Sequence, residues 1–152
     1  MSAAQLETFT VTDSVRAAAT TESVMEQLRR PDNRKRWQSE IVWMKGPDGL
    51  TVGDSVEGLA DMLGFRVEGK GTTTDLGPDR YEEDVVVGVR MRMRFEIVPS
   101  GNGVVVRHTL QAPLPAGLAG KILSVFLKRR LRRMQAESLR ELCRYAESGV
   151  RS

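Results

Sequence analysis

A long β-rich region followed by a single long helical segment is the feature that most constrains this fold. Between Glu40 and Gln111 six short runs with strand composition are separated by clusters of glycine, proline, asparagine and aspartate, which are typical of tight turns. Short strands joined in this way form an antiparallel sheet. From about Leu118 to Ser148 apolar residues recur every three or four positions, which predicts one helix with an apolar stripe. The sheet is therefore expected to curl around this helix.

The region before Glu40 predicts one further strand and two short helices. The segment Leu6–Thr12 alternates and is rich in β-branched residues, as in a strand. Thr20 or Thr21 suits the N-cap of a helix, and Pro31 suits the first turn of a second one, where its missing N–H costs no hydrogen bond. The predicted fold class is α+β, with a seven-stranded antiparallel sheet, a long C-terminal helix and two short helices after the first strand.

Length and composition favour a single domain that spans residues 1–152. A chain of 152 residues allows one sizeable core, and a net charge of only +3 does not demand a nucleic-acid partner. The single cysteine, Cys143, excludes an internal disulfide, and with one histidine no metal site built by the protein is expected. We see no signal peptide and no apolar run long enough to span a membrane. These features predict a cytoplasmic protein without a cofactor.

The run "VRMRMRFEI", residues 89–97, alternates so strictly that one of its faces must be apolar. Either the three arginines or the methionines and Phe95 point into the protein. Three inward arginines without partners would each cost several kcal/mol to desolvate, so we expect them to face water. Met91, Met93 and Phe95 are then expected on the concave face of the sheet, together with Val89 and Ile97.

Four segments carry a resemblance to a known superfamily. They are Trp37 at the end of the second helix, "VGDSV" (52–56), "GNGVVV" (101–106) and "LRELCRYAE" (139–147). With this order of elements the chain resembles the START-like helix-grip (SRPBCC) superfamily, and most of all its polyketide cyclase/dehydrase and lipid-transport group. The resemblance covers almost the whole chain. It implies a cavity between the sheet and the C-terminal helix that holds a hydrophobic small molecule, but the fold alone does not choose among catalysts, carriers and receptors.

Three polar residues are candidates for chemistry inside such a cavity. His108 shares the parity of Val104 and Val106, so it is expected to point inward as a general acid/base or a hydrogen-bond donor to a ligand carbonyl. Alternatively, it is a histidine at the end of a strand that is hydrogen-bonded to the backbone or hydrated at the rim of the cavity. Tyr81 either reaches a ligand oxygen or lies at a core edge. Arg66 would orient a carboxylate or thioester oxygen if it faced inward, although its alternation with Phe65 favours the outside.

The apolar wall of the expected cavity is assigned by parity, by helical position and by the resemblance. Trp37 either contacts the ligand or anchors packing under the cavity mouth. Trp43 shares the parity of Ile41 and is expected to face the core. The complete set of candidate ligand contacts, apart from Arg66, is Trp37, Phe65, Met91, Met93, Phe95, Ile122 and Phe126.

A cluster of cations lies within the predicted C-terminal helix. It has three interpretations: a solvated helix face, a docking site for an acidic partner such as an acyl carrier protein, or a contact with an anionic membrane. No aromatic platform or recognition motif accompanies the cations, so no nucleic-acid partner is expected. The cluster consists of Lys128, Arg129, Arg130, Arg132 and Arg133.

Two functions, and a third without a ligand, fit the sequence. The first is a polyketide cyclase or aromatase that holds a flexible chain in a reactive conformation, with His108, Tyr81 and Arg66 assisting. The second is a noncatalytic carrier or sequestering protein for a hydrophobic metabolite, which needs only an apolar cavity. The third is an interaction protein whose cavity has closed. No nucleophile motif, phosphate loop, dinucleotide fingerprint or metal spacing points to another chemistry.

Overall fold

The predicted order of elements is present in the structure, which is a computed structural model. It describes the backbone of residues 7–62, 64–114 and 118–151, and the side chains of residues 8–61, 64–113 and 125–149. The elements are β1 (Glu7–Ala17), α1 (Thr21–Arg29), α2 (Pro31–Trp37), β2 (Ile41–Lys45), β3 (Ser55–Met62), β4 (Phe65–Gly77), β5 (Arg80–Val87), β6 (Val89–Ser100), β7 (Gly103–Leu114) and α3 (Leu118–Arg151).

The strands form one antiparallel sheet with the order β1-β7-β6-β5-β4-β3-β2. Each strand from β2 to β7 pairs with its neighbour in sequence, whereas β1 pairs with β7. The two short helices therefore carry the chain from one edge of the sheet to the other. The long helix α3 packs against β1, β7, α1 and α2. This arrangement confirms the predicted α+β fold with a seven-stranded sheet around the C-terminal helix.

The two short helices begin where the sequence indicates. Thr20 caps α1 in a capping box: its side chain accepts a hydrogen bond from the Ser23 amide at 3.0 Å, and the Ser23 hydroxyl accepts one from the Thr20 amide at 3.2 Å. Pro31 occupies the first turn of α2. The helix ends at Trp37, which is buried with its indole N–H donating to the carbonyl of Gln27 at 3.1 Å. This bond joins the two helices at the end of the sheet that they cover.

The alternating strand β6 has the predicted orientation. Met91, Phe95 and Ile97 are buried on the concave side, with 8 %, 2 % and 2 % of their surface exposed. Arg92 is exposed on the opposite side and pairs with Asp84 on β5, while Arg94 is half-buried and bonded to Glu82. The prediction for Val89, which lies next to the turn at the end of the sheet, was wrong, because its side chain is about half exposed.

One further prediction of orientation, for Trp43, was wrong because β2 is irregular. The pairing of β2 with β3 shifts register between Ile41 and Trp43, as in a β-bulge. Trp43 is therefore partly exposed, with the Lys45 ammonium 5.7 Å from the centre of its ring. Met44, the next residue on β2, packs against the main core instead.

The buried apolar side chains that the structure describes form two core clusters. The larger one lies where α1, α2 and α3 meet the sheet and includes Leu28, Val106 and Leu142. The smaller one is built around Met91 and Leu110, against which Leu131 of α3 packs. Met93 packs against both clusters. The cleft described next borders on both.

Candidate functional site

A cleft lies between the concave face of the sheet and the inner face of α3. Its empty space amounts to about 940 Å³ when the open solvent at its mouth is included. Side chains from α2, from strands β2 to β7 and from α3 line it. The main apolar lining residues are Trp37, Met44, Val56, Val85, Val87, Met91, Met93, Phe95, Leu110, Leu131, Met134 and Leu139.

His108 lies in the wall of this cleft, as its parity predicted. It is 6 % exposed and lies directly opposite Phe95 in the pairing of β6 with β7. The two rings stack with centroids 4.3 Å apart and an angle of 21° between their planes, and Trp37 meets Phe95 edge-on at 5.9 Å. The imidazole Nε2 is buried and has no hydrogen-bond partner within the described part of the chain.

The protonation state of His108 follows from its burial. Desolvation lowers the pKa of the imidazole from 6.5 to about 4, so the ring is neutral near pH 7. A neutral imidazole donates from one nitrogen and accepts at the other. Because a buried polar atom without a partner costs free energy, a polar group of a bound molecule would be stabilised at Nε2. As a general base near pH 7, however, a group with so low a pKa is poorly matched.

Tyr81 does not line the cleft. Its side chain is 1 % exposed and lies in the larger core. The hydroxyl donates to Glu83 Oε2 at 2.5 Å and lies 3.1 Å from the hydroxyl of Thr73. Burial raises the pKa of Tyr81 above its ordinary value. The geometry therefore assigns this hydroxyl to an internal network rather than to a position from which it would meet a ligand.

A buried ion pair that sequence analysis missed lies at the same cleft. Glu83 and Arg34 are 1 % and 2 % exposed. The guanidinium is bidentate on the carboxylate, with distances of 2.5 Å from Nη1 to Oε2 and 3.2 Å from Nη2 to Oε1, and its Nε donates to Gln38 Oε1 at 3.1 Å. Burial alone would lower the pKa of Arg34, but the charge of Glu83 raises it, so the arginine stays charged.

The position of Glu83 depends on the absence of a side chain at Gly71. A Cβ added at residue 71 would lie 2.8 Å from the carboxyl carbon of Glu83, which is closer than packing allows. This glycine lies on β4, directly beside β5. It gives the carboxylate room on the concave face, where Arg34 of α2 reaches it.

The sequence held a signal for this pair. Glu83 shares the parity of Tyr81 and Val85, which the alternation of β5 places on the inner face. Arg34 lies three residues before Trp37 on α2, so the two share a helix face. The concave face is therefore not wholly apolar, because a carboxylate and a guanidinium form part of the cleft wall.

The other predicted contacts divide into three groups. Trp37, Met91, Met93 and Phe95 line the cleft, and their contact with a ligand stays a prediction. Phe65, Arg66 and Phe126 do not line it. The side chain of Ile122 lies outside the described residues.

Local geometry explains why these three described residues do not line the cleft. Phe65 begins β4 just after the turn at Gly64 and is 74 % exposed, and Arg66 beside it is also exposed. Phe126 is 76 % exposed. It lies five residues before Leu131, so the helical repeat turns it away from the side of α3 that faces the cleft.

The arrangement of a curled antiparallel sheet that wraps a long C-terminal helix, with a cleft between them, defines the helix-grip class of folds. Residues 8–147 match the family described as polyketide cyclase / dehydrase and lipid transport. The chain belongs to this family. No curated protein sequence matches it.

Solved structures share this fold at low sequence identity. The di-domain ARO/CYC StfQ from the steffimycin biosynthetic pathway has a TM-score of 0.77 at 12 % identity, over 95 % of this chain and 52 % of StfQ. The di-domain ARO/CYC BexL from the BE-7585A biosynthetic pathway has a TM-score of 0.72 at 14 % identity, over 92 % of this chain and 50 % of BexL. A Thermus thermophilus protein, TTHA0849, has a TM-score of 0.75 at 16 % identity, over 92 % and 98 % of the two chains. At such identities the likeness shows the fold alone.

Among the helices that the structure describes, none has the length and hydrophobicity needed to cross a bilayer.

Proposed function

We propose that this protein binds an apolar small molecule, polyketide-like or lipid-like, in the cleft between the sheet and α3. In this proposal the His108 imidazole forms a hydrogen bond with a polar group of that molecule. The observation that carries it is the buried Nε2, which has no partner among the described residues and lies in a wall that is otherwise mainly apolar. Membership of a family described by polyketide cyclisation and lipid transport supports the same class of ligand.

Binding without turnover fits the geometry better than acid–base catalysis. With a pKa lowered to about 4, the neutral imidazole of His108 is a weak base, so it suits a hydrogen bond better than proton abstraction near pH 7. The Tyr81 hydroxyl and the Arg34–Glu83 pair already bond to each other or to neighbours. Of these groups, His108 is thus neutral, and Tyr81, Arg34 and Glu83 are bonded internally.

The test combines identification of the ligand with variants of His108. Native mass spectrometry of the freshly purified protein should show a copurified small molecule, and its affinity should then be measured. His108→Ala is expected to weaken binding by about two- to tenfold, the contribution of one hydrogen bond. Arg107→Gln changes the outward-facing neighbour on the same strand and should leave binding unchanged.

A second probe separates polar recognition from simple filling of the cleft. His108→Phe should weaken binding of the copurified molecule but not that of a pure hydrocarbon of similar size. Equal affinity of the His108→Ala and wild-type proteins for the copurified molecule would contradict the assigned role of His108. The absence of any bound or bindable apolar molecule would contradict the proposed function itself.

Cyclisation of a bound polyketide-like chain is the second candidate function. Two of the similar structures are described as ARO/CYC proteins, and a cleft of this shape would hold a flexible chain in a folded conformation. The assay is the rate at which a linear poly-β-ketone thioester forms rings with and without the protein. If His108 transfers a proton, His108→Ala should lower the rate by about a hundredfold or more. Equal rates with and without protein would exclude this second function.

A further inference from the structure

The two halves of α3 carry different charges. The first half, residues 118–136, contains six cations and no acidic residue, whereas residues 137–151 contain three of each. In the second half the charges compensate one another, as in the ion pair between Arg144 and Glu141 at 2.7 Å. The first half has no such compensation along its own sequence.

The outward face of the first half combines arginines with an exposed aromatic side chain. Phe126, Arg129, Arg130 and Arg133 follow the i, i+3, i+4, i+7 spacing of a single helix face. All four are exposed, and Val125 beside them is 55 % exposed. Within the described part of the chain, these three arginines form no ion pair. We call this set of five residues the basic face.

Two other cations of the same run have a different role. The Lys128 ammonium and the Arg132 guanidinium lie 5.4 Å and 5.7 Å from the centre of the Phe9 ring on β1. These contacts fasten α3 to the edge of the sheet. They also fix the direction of the basic face, because the cations that bind the sheet and those that point outward alternate along the helix.

We infer that the basic face docks the protein on an anionic membrane surface. Arginines near such a surface are attracted to lipid phosphates, and each contributes about a fivefold increase in binding. Phe126 and Val125 would enter the boundary between headgroups and acyl chains, as apolar residues of interfacial helices do. An acidic protein would complement the arginines equally well, but two neighbouring exposed apolar side chains favour a partner with an apolar phase beneath its negative surface.

The position of the basic face also relates it to the cleft. Leu131 and Met134, which line the cleft, lie on the same turns of α3 as Arg130 and Arg133, which point outward. A membrane that binds these turns of α3 would therefore lie next to the cleft wall. An apolar ligand would concentrate in that same membrane. This last argument rests on the proposed function, whereas the arguments from charge and exposure do not.

The experiment measures cosedimentation of the protein with vesicles of phosphatidylcholine alone and of phosphatidylcholine mixed with phosphatidylglycerol. Wild-type protein should bind the anionic vesicles only, and added salt should weaken this binding. A variant with Arg129→Gln, Arg130→Gln and Arg133→Gln should bind on the order of a hundredfold more weakly. Phe126→Ser should lose about tenfold through its apolar contribution.

A charge-matched control removes the effect of net charge. Arg36→Gln, Arg107→Gln and Arg140→Gln change three exposed arginines away from the basic face, so this variant has the same net charge as the first. It should keep most of the wild-type affinity. All the substituted residues are exposed, so circular dichroism and thermal melting should show unchanged folding.

Three results would overturn the inference. One is the absence of binding to anionic vesicles, and another is an equal loss in the control variant. The third is binding of purified acyl carrier protein or RNA to the basic face when vesicles do not bind. Ligand affinity measured without vesicles should be the same for the wild type and the basic-face variant. Failure of membrane docking is therefore distinguishable from failure of the proposed function.

Discussion

The buried histidine predicts a specific dependence of stability on pH. In the folded protein burial lowers the pKa of His108 to about 4, whereas an unfolded histidine has a pKa near 6.5. Between these two values the unfolded chain binds a proton that the folded chain excludes. The free energy of unfolding should therefore be unaffected by His108 above about pH 6.5, and should fall as the pH is lowered towards 4.

The size of the effect follows from the same two pKa values. Their difference corresponds to about 3 kcal/mol once both states have titrated, and about 2 kcal/mol should be lost by pH 5. The measurement is urea denaturation of the wild type and of His108→Gln at several pH values between about 7.5 and 5, the range in which histidine titrates. His108 is the single histidine of the chain, so the substitution removes the whole histidine contribution.

Comparison of the two proteins separates the contribution of His108 from the contributions of other titrating groups. Burial raises the pKa of Glu40 above 4.5, so its ionisation opposes the effect of His108 as the pH changes. Hydrogen bonds lower the pKa values of Asp54, Asp75 and Asp84, whose contributions are lost mainly below this range. All four carboxylates are present in both proteins. Parallel curves for the wild type and His108→Gln would refute the conclusion that the imidazole is buried and neutral.

Two further predictions concern stability. Glu83→Gln should lower the free energy of unfolding by about 3–5 kcal/mol because it leaves the Arg34 charge buried without its partner. Replacing both residues by methionine should cost far less than the sum of the two single changes. Urea denaturation measures all the variants, and additive losses would contradict the pairing. Met91→Glu should unfold the protein or abolish the binding of an apolar probe dye, because it buries a carboxylate. Arg92→Glu should change the free energy of unfolding much less. Greater damage from the arginine change would show that the faces of β6 are assigned wrongly.

The fold was predictable because its signals are local. Alternation over β6, turn residues between successive strands and the spacing of apolar residues along α3 each act over a few positions. One helix long enough to cover a sheet leaves few ways to bury both apolar faces. The orientation of Trp43 was not predictable in this way, because a shift in the pairing of β2 with β3 reverses the parity on which the prediction relied.

The site was only partly predictable because its polar groups come from distant parts of the chain. His108 was placed by parity alone. The inward position of Glu83 was predictable by the same rule. Its ion pair was not, because the partner, Arg34, lies 49 residues away in sequence, on α2. Exposure of Phe126 follows from its angle on α3, which the apolar stripe indicates only once the side that faces the sheet is known.

The distribution of hydrogen bonds in the cleft separates residues that stabilise the fold from residues available to a ligand. Arg34, Glu83 and Tyr81 are buried and bonded to one another, so a ligand would have to break existing bonds to reach them. His108 is buried in the same region, and its Nε2 has no partner among the side chains that the structure describes, so a ligand would gain a bond there without breaking one of these. When candidates are chosen by residue type alone, Tyr81 and His108 are both candidates for contact with a ligand. The bonds that each group already makes distinguish them, and they make His108 the first position to change when the ligand is sought.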